Sequence, residues 1–305
     1  MGACEVVEVM MTNGDLVGLD EGDRFPGAYV VGFGGLQELQ RSGQDGSLTE
    51  LGTRELVAPF ASVTKLVTSL AVMVAVQEEI MALSEPVGPF SFTVADLLGH
   101  ASGLAPDGDP GNLDGCFMAP PQSRRIYSNL GYELLALLLE SASQMPFAHY
   151  ATEAVLRPLG MAGARYEAHH LLPGGRGGAT GLVGSLTDLL ALVRGIAFPG
   201  ILDQALHDLY SRCYLDGLGG VLPGFGLMEN NRWGLGPEIA GTKSPHWSCS
   251  ESDPTTYGHF GRSGSLVWVD PVAEIFLVSL SEVPFGSWAV SLWPTLARQA
   301  YRQYQ

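Results

Sequence analysis

One apolar stretch after residue 60 constrains the fold most strongly. Residues 62–79 carry apolar side chains at helical spacing, which predicts a buried helix. Lys65 follows Ser62 by three residues, and residues three apart share one face of a helix. An amine beside a serine hydroxyl can take its proton and make the oxygen a nucleophile. The stretch therefore predicts both a core helix and a candidate catalytic pair.

The scarcity of lysine draws attention to Lys65. The chain has 14 arginines but only two lysines, Lys65 and Lys243. Arginine stays protonated in proteins, whereas the pKa of a buried lysine shifts readily, so only lysine suits a base. A serine at a helix start is nevertheless more often a cap than a nucleophile. The pair alone leaves both interpretations of Ser62 open.

Charge and composition exclude some classes of partner. The 305 residues are 46% hydrophobic, which is enough to bury a substantial core. The net charge is −16 and no basic cluster is present, so nucleic acid and anionic membrane surfaces are poor partners. The longest apolar run, residues 66–76, is too short to span a bilayer. We expect no nucleic-acid partner and no membrane partner.

The chain start and the cysteines predict a location. Residues 1–8 contain neither the basic nor the apolar segment of a secretory signal, so we expect a cytoplasmic protein. The cysteines are far apart and form no C-x-x-C pair. Disulfides are possible, but without an export signal we favour free thiols. The cysteines are Cys4, Cys116, Cys213 and Cys249.

Local patterns predict strands near both chain ends and helices between them. Strands are expected at 28–33, 265–269 and 274–280, and helices at 62–79, 130–143, 147–156 and 287–304. Capping boxes begin helices at Thr93 and Ser185, whereas 34–52, 105–123 and 217–256 are expected to be turn-rich or loop-rich.

This order of elements predicts an α+β protein. We expect an antiparallel sheet that is built from both chain ends and flanked by helices. The chain would be one two-lobed catalytic unit, with an α/β lobe at about 1–61 and 245–305 and a helical lobe at about 62–244.

Two further polar clusters precede predicted elements. Tyr127 and Asn129 come just before the helix at 130, and His259 lies between glycines before the strand at 265. Phenol and imidazole can relay protons, and an amide can hold a carbonyl or orient a lysine. Simpler interpretations remain open, because Ser128 and Asn129 could only cap the helix and His259 could be a core histidine.

Together the three clusters resemble the motifs of the serine β-lactamase/penicillin-binding-protein superfamily. The match is to the branch of class C β-lactamases, D-alanyl-D-alanine carboxypeptidases and family VIII esterases, over about residues 26–285. The resemblance implies a β-lactamase/transpeptidase-like fold without a metal or cofactor. Segments 97–104, 158–161, 184–189 and 268–271 also match. The three motifs are Ser62-Val63-Thr64-Lys65, Tyr127-Ser128-Asn129 and His259-Phe260-Gly261.

The resemblance implies a role for each candidate residue. Ser62 would be the acylated nucleophile, while Lys65 and Tyr127 would share the general-base work. Tyr127 would also activate water for deacylation, and Asn129 would bind the acyl side of the substrate. The backbone N–H groups of Ser62 and Arg262 would form the oxyanion hole. The segment that would bind substrate consists of His259, Phe260, Gly261 and Arg262.

The third motif departs from the family pattern of Lys or His, then Thr or Ser, then Gly. Phe260 replaces the hydroxyl residue that helps to bind a substrate carboxylate, and Arg262 is a candidate substitute charge. We therefore expect a serine hydrolase of small carboxylic esters or amides. The alternatives are a β-lactamase or D-alanyl-D-alanine carboxypeptidase, an acyltransferase with the same residues, and a catalytically dead binding homologue.

Other motifs favour ordinary roles. His169 and His170 have no carboxylate or thiol at ligand spacing, so we expect a loop and no metal site. The glycine-rich residues 174–178 lack the following Lys-Ser/Thr of a phosphate loop. Of the aromatic residues late in the chain, Phe260 is expected to line an acyl pocket and Trp268 to pack in the core.

Overall fold

The computed structural model describes residues 26–42 and 48–304. The predictions about residues 1–8 and Cys4 concern residues outside this part. The helices are α1 (Leu36–Ser42), α2 (Thr64–Gln77), α3 (Val94–Leu98), α4 (Asn129–Ser143), α5 (Phe147–Ala151), α6 (Arg157–Leu159), α7 (Leu186–Ala197), α8 (Gln204–Tyr210) and α9 (Ser287–Tyr304). 3₁₀ turns lie at Ala61–Val63 and Ala168–His170, and a π-helical turn lies at Thr152–Leu156.

The strands come from both chain ends and from the middle. They are β1 (Tyr29–Gly35), β2 (Leu48–Gly52), β3 (Ala58–Pro59), β4 (Arg165–Tyr166), β5 (Leu182–Gly184), β6 (Gly220–Leu222), β7 (Gly226–Met228), β8 (Glu238–Ile239), β9 (Tyr257–Phe260), β10 (Leu266–Asp270) and β11 (Ile275–Ser281). Among the described residues, six of them form one antiparallel sheet in the order β2-β1-β11-β10-β9-β8.

This sheet has the α+β arrangement that the sequence predicts. The first described strand, β1, pairs with the last, β11, so that Tyr29 lies opposite Ser281. One edge strand, β8, comes from the segment 62–244 that we expected to be helical. A smaller sheet joins β3, β5 and β4, and β6 and β7 form a hairpin.

Each face of the large sheet covers a separate apolar cluster. Val267 and Val269 of β10 belong to the cluster that includes the side chains of α2, α4 and α7. Leu266 and Trp268 belong to the cluster of α9. This division follows from the two-residue period of a strand, which turns alternate side chains to opposite faces. Trp268 is a core residue, as predicted.

One prediction about secondary structure is wrong, and one strand was not predicted. The polar stretch after β1 contains α1 and β2, and the segment around His259 is strand β9. Each strand is completed by a neighbouring strand, since β2 pairs with β1 beyond α1 and β9 pairs with β10 across a short loop. Gly258 reflects this pairing, because a Cβ there would lie 2.0 Å from the Val267 carbonyl oxygen. Local patterns cannot reveal such a close approach.

The capping boxes at Thr93 and Ser185 are confirmed, with Asp96 and Asp188 as their acidic partners. Within residues 26–42 and 48–304, none of the helices combines the length and apolar character needed to cross a bilayer. The cysteines of this part, which are Cys116, Cys213 and Cys249, are free thiols.

Candidate active site

Ser62 lies in the 3₁₀ turn that leads into α2, one turn before the helix proper. The preceding Ala61 has φ +44°, a left-handed conformation that non-glycine residues rarely adopt. Such strain occurs where the surrounding structure holds a functional turn. The N-cap position of α2 is Val63, so Ser62 is not the cap of this helix.

The loop after β9 is hydrogen-bonded to the residues just before this turn. The hydroxyl of Ser263 donates to the Pro59 carbonyl and that of Ser265 to the Phe60 carbonyl, both at 2.6 Å. Gly261 lies against the same segment, where a Cβ would be 2.4 Å from the Phe60 carbonyl oxygen. A residue other than glycine could not pack here without displacing the turn.

Lys65 projects from the first turn of α2 and is fully buried. Its Nζ donates to Ser62 Oγ at 3.3 Å, to Asn129 Oδ1 at 2.8 Å and to the Ala179 carbonyl at 3.0 Å. It also lies 4.9 Å from the centre of the Tyr127 ring. All three acceptors are uncharged oxygens. The amine is therefore fixed in place without a directly bound counter-ion.

These surroundings shift the protonation of the amine. Burial lowers the pKa of Lys65 from 10.5 to about 7, and the more distant carboxylates of Glu133 and Asp107 oppose this change. Desolvation disfavours the charged form of an amine, whereas nearby anions favour it. Near pH 7 a large fraction of Lys65 is thus the neutral amine, which can accept a proton.

Tyr127 lies between the lysine and two histidines. Its ring centre is 4.7 Å from that of His100 and 5.9 Å from that of His259. Burial raises the pKa of Tyr127 well above its usual value of 10.0, while a hydrogen bond with Ser62 acts in the opposite direction. At neutral pH the group is a phenol in contact with the candidate nucleophile.

Ser128 and Asn129 have different roles at the start of α4. Ser128 Oγ accepts the Gly131 N–H at 2.9 Å and is the helix cap. The Asn129 amide instead joins two side chains, because its Oδ1 accepts from Lys65 and its Nδ2 donates to Asp107 Oδ1 at 2.9 Å. The capping interpretation therefore holds for Ser128 and not for Asn129.

His259 is buried on β9 and is uncharged. Its Nδ1 lies 2.7 Å from the Phe260 carbonyl oxygen, which can only accept, so Nδ1 carries the proton. Its Nε2 has no hydrogen-bond partner among the described side and main chains. Burial, followed by the charge of Lys65, lowers the pKa of His259 to about 3. The position of the family's cationic lysine therefore holds a neutral imidazole.

Phe260 lies on the other face of β9 and belongs to an aromatic cluster. Its ring centre is 4.9 Å from that of Phe285, 5.6 Å from Phe225 and 5.7 Å from Trp293. Arg262 follows the strand, and its exposed side chain lines a pocket together with Phe260.

These side chains surround a pocket of about 340 Å³ whose lining is mainly apolar. Most of the predicted site residues border it, whereas Lys65 lies buried behind Ser62. The lining residues are Ser62, Tyr127, Asn129, Leu222, Pro223, Gly224, Trp233, Glu238, His259, Phe260, Arg262 and Phe285.

Several residues of the site were not predicted from the sequence. The wall formed by Leu222, Trp233 and Phe285 comes partly from the stretch expected to be loop-rich. Two residues near Lys65 were also not predicted: the Glu133 carboxylate acts on its charge, and the Ala179 carbonyl accepts its hydrogen bond. A signal did exist for Glu133, which is an acid in the apolar stretch of α4, one helical turn after Asn129.

The expectation that no carboxylate accompanies His169 and His170 is wrong. Glu167 Oε2 lies 3.2 Å from His169 Nε2 and 3.9 Å from His170 Nε2. The short 3₁₀ turn Ala168–His170 brings both rings close to Glu167. The carboxylate is also bound by Arg165, a cation that competes with any metal ion. The absence of a metal site here stays a prediction.

The chain is similar to known proteins in both sequence and fold. A family model described as Beta-lactamase matches residues 14–301. The structure of a β-lactamase from Mycobacterium bovis is 36% identical, with 91% of this chain and 95% of that chain covered and a TM-score of 0.81. EstCE1, described as a hydrolase with promiscuous acyltransferase activity, shares the fold at 18% identity, with 88% and 92% covered and a TM-score of 0.67. The α+β architecture is thus the β-lactamase/transpeptidase-like fold.

A curated relative extends beyond this chain. The Escherichia coli protein named "Putative D-alanyl-D-alanine carboxypeptidase" is 29% identical, and the match covers 54% of this chain and 46% of that protein. The chain therefore matches less than half the length of this relative.

Proposed function

The chain belongs to the Beta-lactamase family, and from this premise we propose that it is a serine hydrolase that cleaves small carboxylic esters or amides through an acyl-enzyme. One observation carries the proposal: the buried amine of Lys65, with a pKa of about 7, lies 3.3 Å from the Ser62 hydroxyl. An amine in this state can take the serine proton, which a normally charged lysine cannot do.

In the acylation step, Ser62 Oγ attacks the substrate carbonyl carbon and its proton passes to Lys65. The oxyanion of the tetrahedral intermediate is stabilised by the N–H groups of Ser62 and Arg262. The bond from the carbonyl carbon to the leaving oxygen or nitrogen then breaks. The leaving group takes the proton back through Tyr127, and the acyl group remains on Ser62 as an ester.

Deacylation reverses this transfer with water as the nucleophile. Tyr127 remains a phenol at neutral pH because burial raises its pKa. It therefore relays the proton of the attacking water toward Lys65 and does not act as a permanent anion. Tyr127→Phe should slow this step in particular, so acyl-enzyme should accumulate as a burst of product in rapid-mixing measurements. The absence of a burst would assign water activation to another group.

The pocket supports esters as the substrate class. Its lining is mainly apolar, and at the third motif His259 is neutral and Phe260 has no hydroxyl. A substrate carboxylate would lack the donors that this position supplies in the family, whereas a neutral acyl group would gain apolar contact with the ring.

A second candidate function is that of a β-lactamase or D-alanyl-D-alanine carboxypeptidase. The exposed Arg262 guanidinium at the pocket favours it, since arginine binds carboxylates well. The names of the relatives from Mycobacterium bovis and Escherichia coli agree with it. Acyl transfer to an alcohol would use the same acyl-enzyme.

Two measurements test the leading proposal. Intact-mass spectrometry after treatment with a fluorophosphonate should show one adduct, absent in Ser62→Ala, and a protein that forms none would be a binding homologue. A series of p-nitrophenyl esters, assayed beside a chromogenic cephalosporin, should show faster turnover of the short esters. A preference for the cephalosporin would favour the second candidate.

Phe260→Thr tests the reason for that preference. Restoring a hydroxyl should improve cephalosporin hydrolysis relative to p-nitrophenyl butyrate by roughly ten- to 150-fold in kcat/KM, the effect of about 1.5–3 kcal/mol from a hydrogen bond to a charged group. Phe260→Leu is the matched control, because it replaces the ring by a smaller apolar side chain without adding a donor. An unchanged ratio in Phe260→Thr would show that the aromatic residue does not determine selectivity.

A further inference from the structure

The carboxylate of Glu133 lies near the proposed base but takes no part in the acyl transfer described above. Glu133 follows Asn129 by four residues on α4, so both side chains leave the same face of the helix. Its exposed fraction is 3%, although it is an acid. A buried carboxylate is costly unless it is hydrogen-bonded, so its partners indicate its role.

The glycine-rich loop of residues 174–178 supplies those partners. The Arg176 N–H donates to Glu133 Oε2 at 2.6 Å, and the N–H of the following Ala179 donates to Oε1 at 2.9 Å. Gly178 allows the close approach, because a Cβ there would lie 2.1 Å from the Tyr132 carbonyl oxygen. Backbone N–H groups of such loops commonly surround anions. Here the anion is a side chain of the same protein.

Ala179 connects this loop to the base. Its N–H is held by Glu133, and its carbonyl accepts from Lys65 Nζ at 3.0 Å. The neighbouring Gly178 carbonyl accepts from the Thr68 hydroxyl of α2 at 2.7 Å. The loop is therefore attached both to α4 and to the helix that carries Lys65.

We propose that Glu133 is a positioning residue: its carboxylate holds residues 174–179 so that the Ala179 carbonyl directs the Lys65 amine toward Ser62. The inference rests on the proposed function in taking Lys65 as the base. The same negative charge also opposes the effect of burial on the pKa of Lys65. Glu133 thus determines both where the amine lies and the pH range in which it is neutral.

Other titratable groups also act on Lys65 or contact it. The Asp107 carboxylate raises the pKa of Lys65 as Glu133 does, whereas the buried histidines nearby have lowered pKa values and are neutral. The groups around Lys65 are Glu133, Asp107, His100, His259 and the phenols of Tyr127 and Tyr132.

The two-lysine composition allows a direct test. In protein labelled with ¹³Cε-lysine, the Lys65 signal is assigned by its loss in Lys65→Met, and its titration needs no substrate. Glu133→Gln keeps the shape but removes the charge, so we expect the Lys65 midpoint to fall by about one pH unit. The acid limb of kcat/KM for a p-nitrophenyl ester should move to lower pH with it, and kcat on the plateau should fall.

Matched variants separate position from charge. Glu133→Asp keeps the charge but shortens the side chain, so it should retain the wild-type midpoint and lower kcat. Glu140→Gln removes another acid of α4, whose carboxylate lies 2.7 Å from the Arg176 guanidinium, and should leave the Lys65 midpoint unchanged. Circular dichroism will show whether Glu133→Gln folds. If it does not fold, Glu133→Asp and Gly178→Ala take its place, and both should show a lower kcat. Gly178→Ala displaces the loop without changing the charge.

The proposal is overturned if the Lys65 midpoint in folded Glu133→Gln equals or exceeds the wild-type value. Where Glu133→Gln does not fold, unchanged kcat in Glu133→Asp and Gly178→Ala overturns it. These outcomes differ from failure of the proposed function. If the midpoint falls but no ester is hydrolysed, the choice of substrate is wrong and the positioning role stands. If esters are hydrolysed through Ser62 while Glu133→Gln behaves like wild type, the positioning role is wrong.

Discussion

Lys65 and Lys243, the two lysines of the chain, are both buried but have partners of different charge. Lys65 Nζ donates to uncharged oxygens of Ser62, Asn129 and Ala179. Lys243, whose side chain is 1% exposed, instead contacts the carboxylate of Glu238. Two otherwise identical side chains thus differ in whether an anion touches the amine.

This difference determines what each lysine can do. Burial by itself would raise the pKa of Glu238. Lys243 and His246 both favour the carboxylate, however, and the pKa is lowered to about 2. The Glu238–Lys243 contact is therefore a buried ion pair that joins β8 to the segment after it. Burial of Lys65 without such contact yields a base instead. A lysine base thus needs burial together with carboxylates kept at a distance, as Glu133 is.

The largest expected difference between the two lysines is in activity. Lys65→Arg keeps a positive charge but cannot accept a proton, so kcat/KM for a p-nitrophenyl ester should fall by ~10²–10⁴. Lys243→Arg keeps an ion pair with Glu238 and should retain most of the activity per folded molecule. Retention of more than roughly a tenth of wild-type turnover in Lys65→Arg would mean that another group is the base.

The next difference is in stability. Lys243→Met leaves Glu238 buried without its partner cation, which should cost about 3–5 kcal/mol in the free energy of unfolding measured with urea. The double variant Lys243→Met/Glu238→Gln removes both charges and should recover much of that loss. A loss below about 1 kcal/mol in the single variant would show that the pair is poorly desolvated.

Lys65→Met should change stability in the opposite direction. Lowering the pKa of Lys65 from 10.5 to about 7 corresponds to about 5 kcal/mol against folding at pH 6 and below. The substitution also leaves the oxygens of Asn129 and Ala179 unpaired, at about 1 kcal/mol each, so the net gain should be about 2–3 kcal/mol.

The pH dependence distinguishes this cause from better packing. Between pH 7 and pH 10 the unfolded chain binds more protons at Lys65 than the folded protein does, so wild-type stability should rise with pH. The advantage of Lys65→Met in urea unfolding should therefore shrink over that range. An advantage that is constant with pH would assign the gain to packing.

The smallest expected effect is the shape of the pH–rate profile. Because neutral Lys65 is required, kcat/KM should fall about tenfold per pH unit below pH 7 and level off above it. Lys243→Met should keep the same midpoint, since the charges that act on Lys65 are those of Glu133 and Asp107 and not the Glu238–Lys243 pair. A displaced midpoint in Lys243→Met would indicate that the two buried amines are electrostatically coupled.

Prediction from the sequence succeeded where local patterns carry the information. Helix α9 and the helix start at Ser185 follow from apolar spacing and a capping box, and both are present. The edge strand β2 and strand β9 were missed, because each is short and is completed by backbone hydrogen bonds to a neighbouring strand, which apolar spacing does not record. The pocket wall at Trp233 was missed because its ring packs against His100 and His259, which are brought to it only by the tertiary fold.

The sequence by itself determined which chemical groups are available and how the nearest ones are spaced. Ser62 and Lys65 are brought together by the geometry of a single turn, which a 3₁₀ or an α-helical turn satisfies equally well. The tertiary structure decided how those groups behave. Neutrality of Lys65 requires burial under α4, and the position of its amine requires acceptors such as the Ala179 carbonyl, 114 residues away. Desolvation and long-range contacts set a pKa, and neither is encoded in the spacing of neighbouring residues.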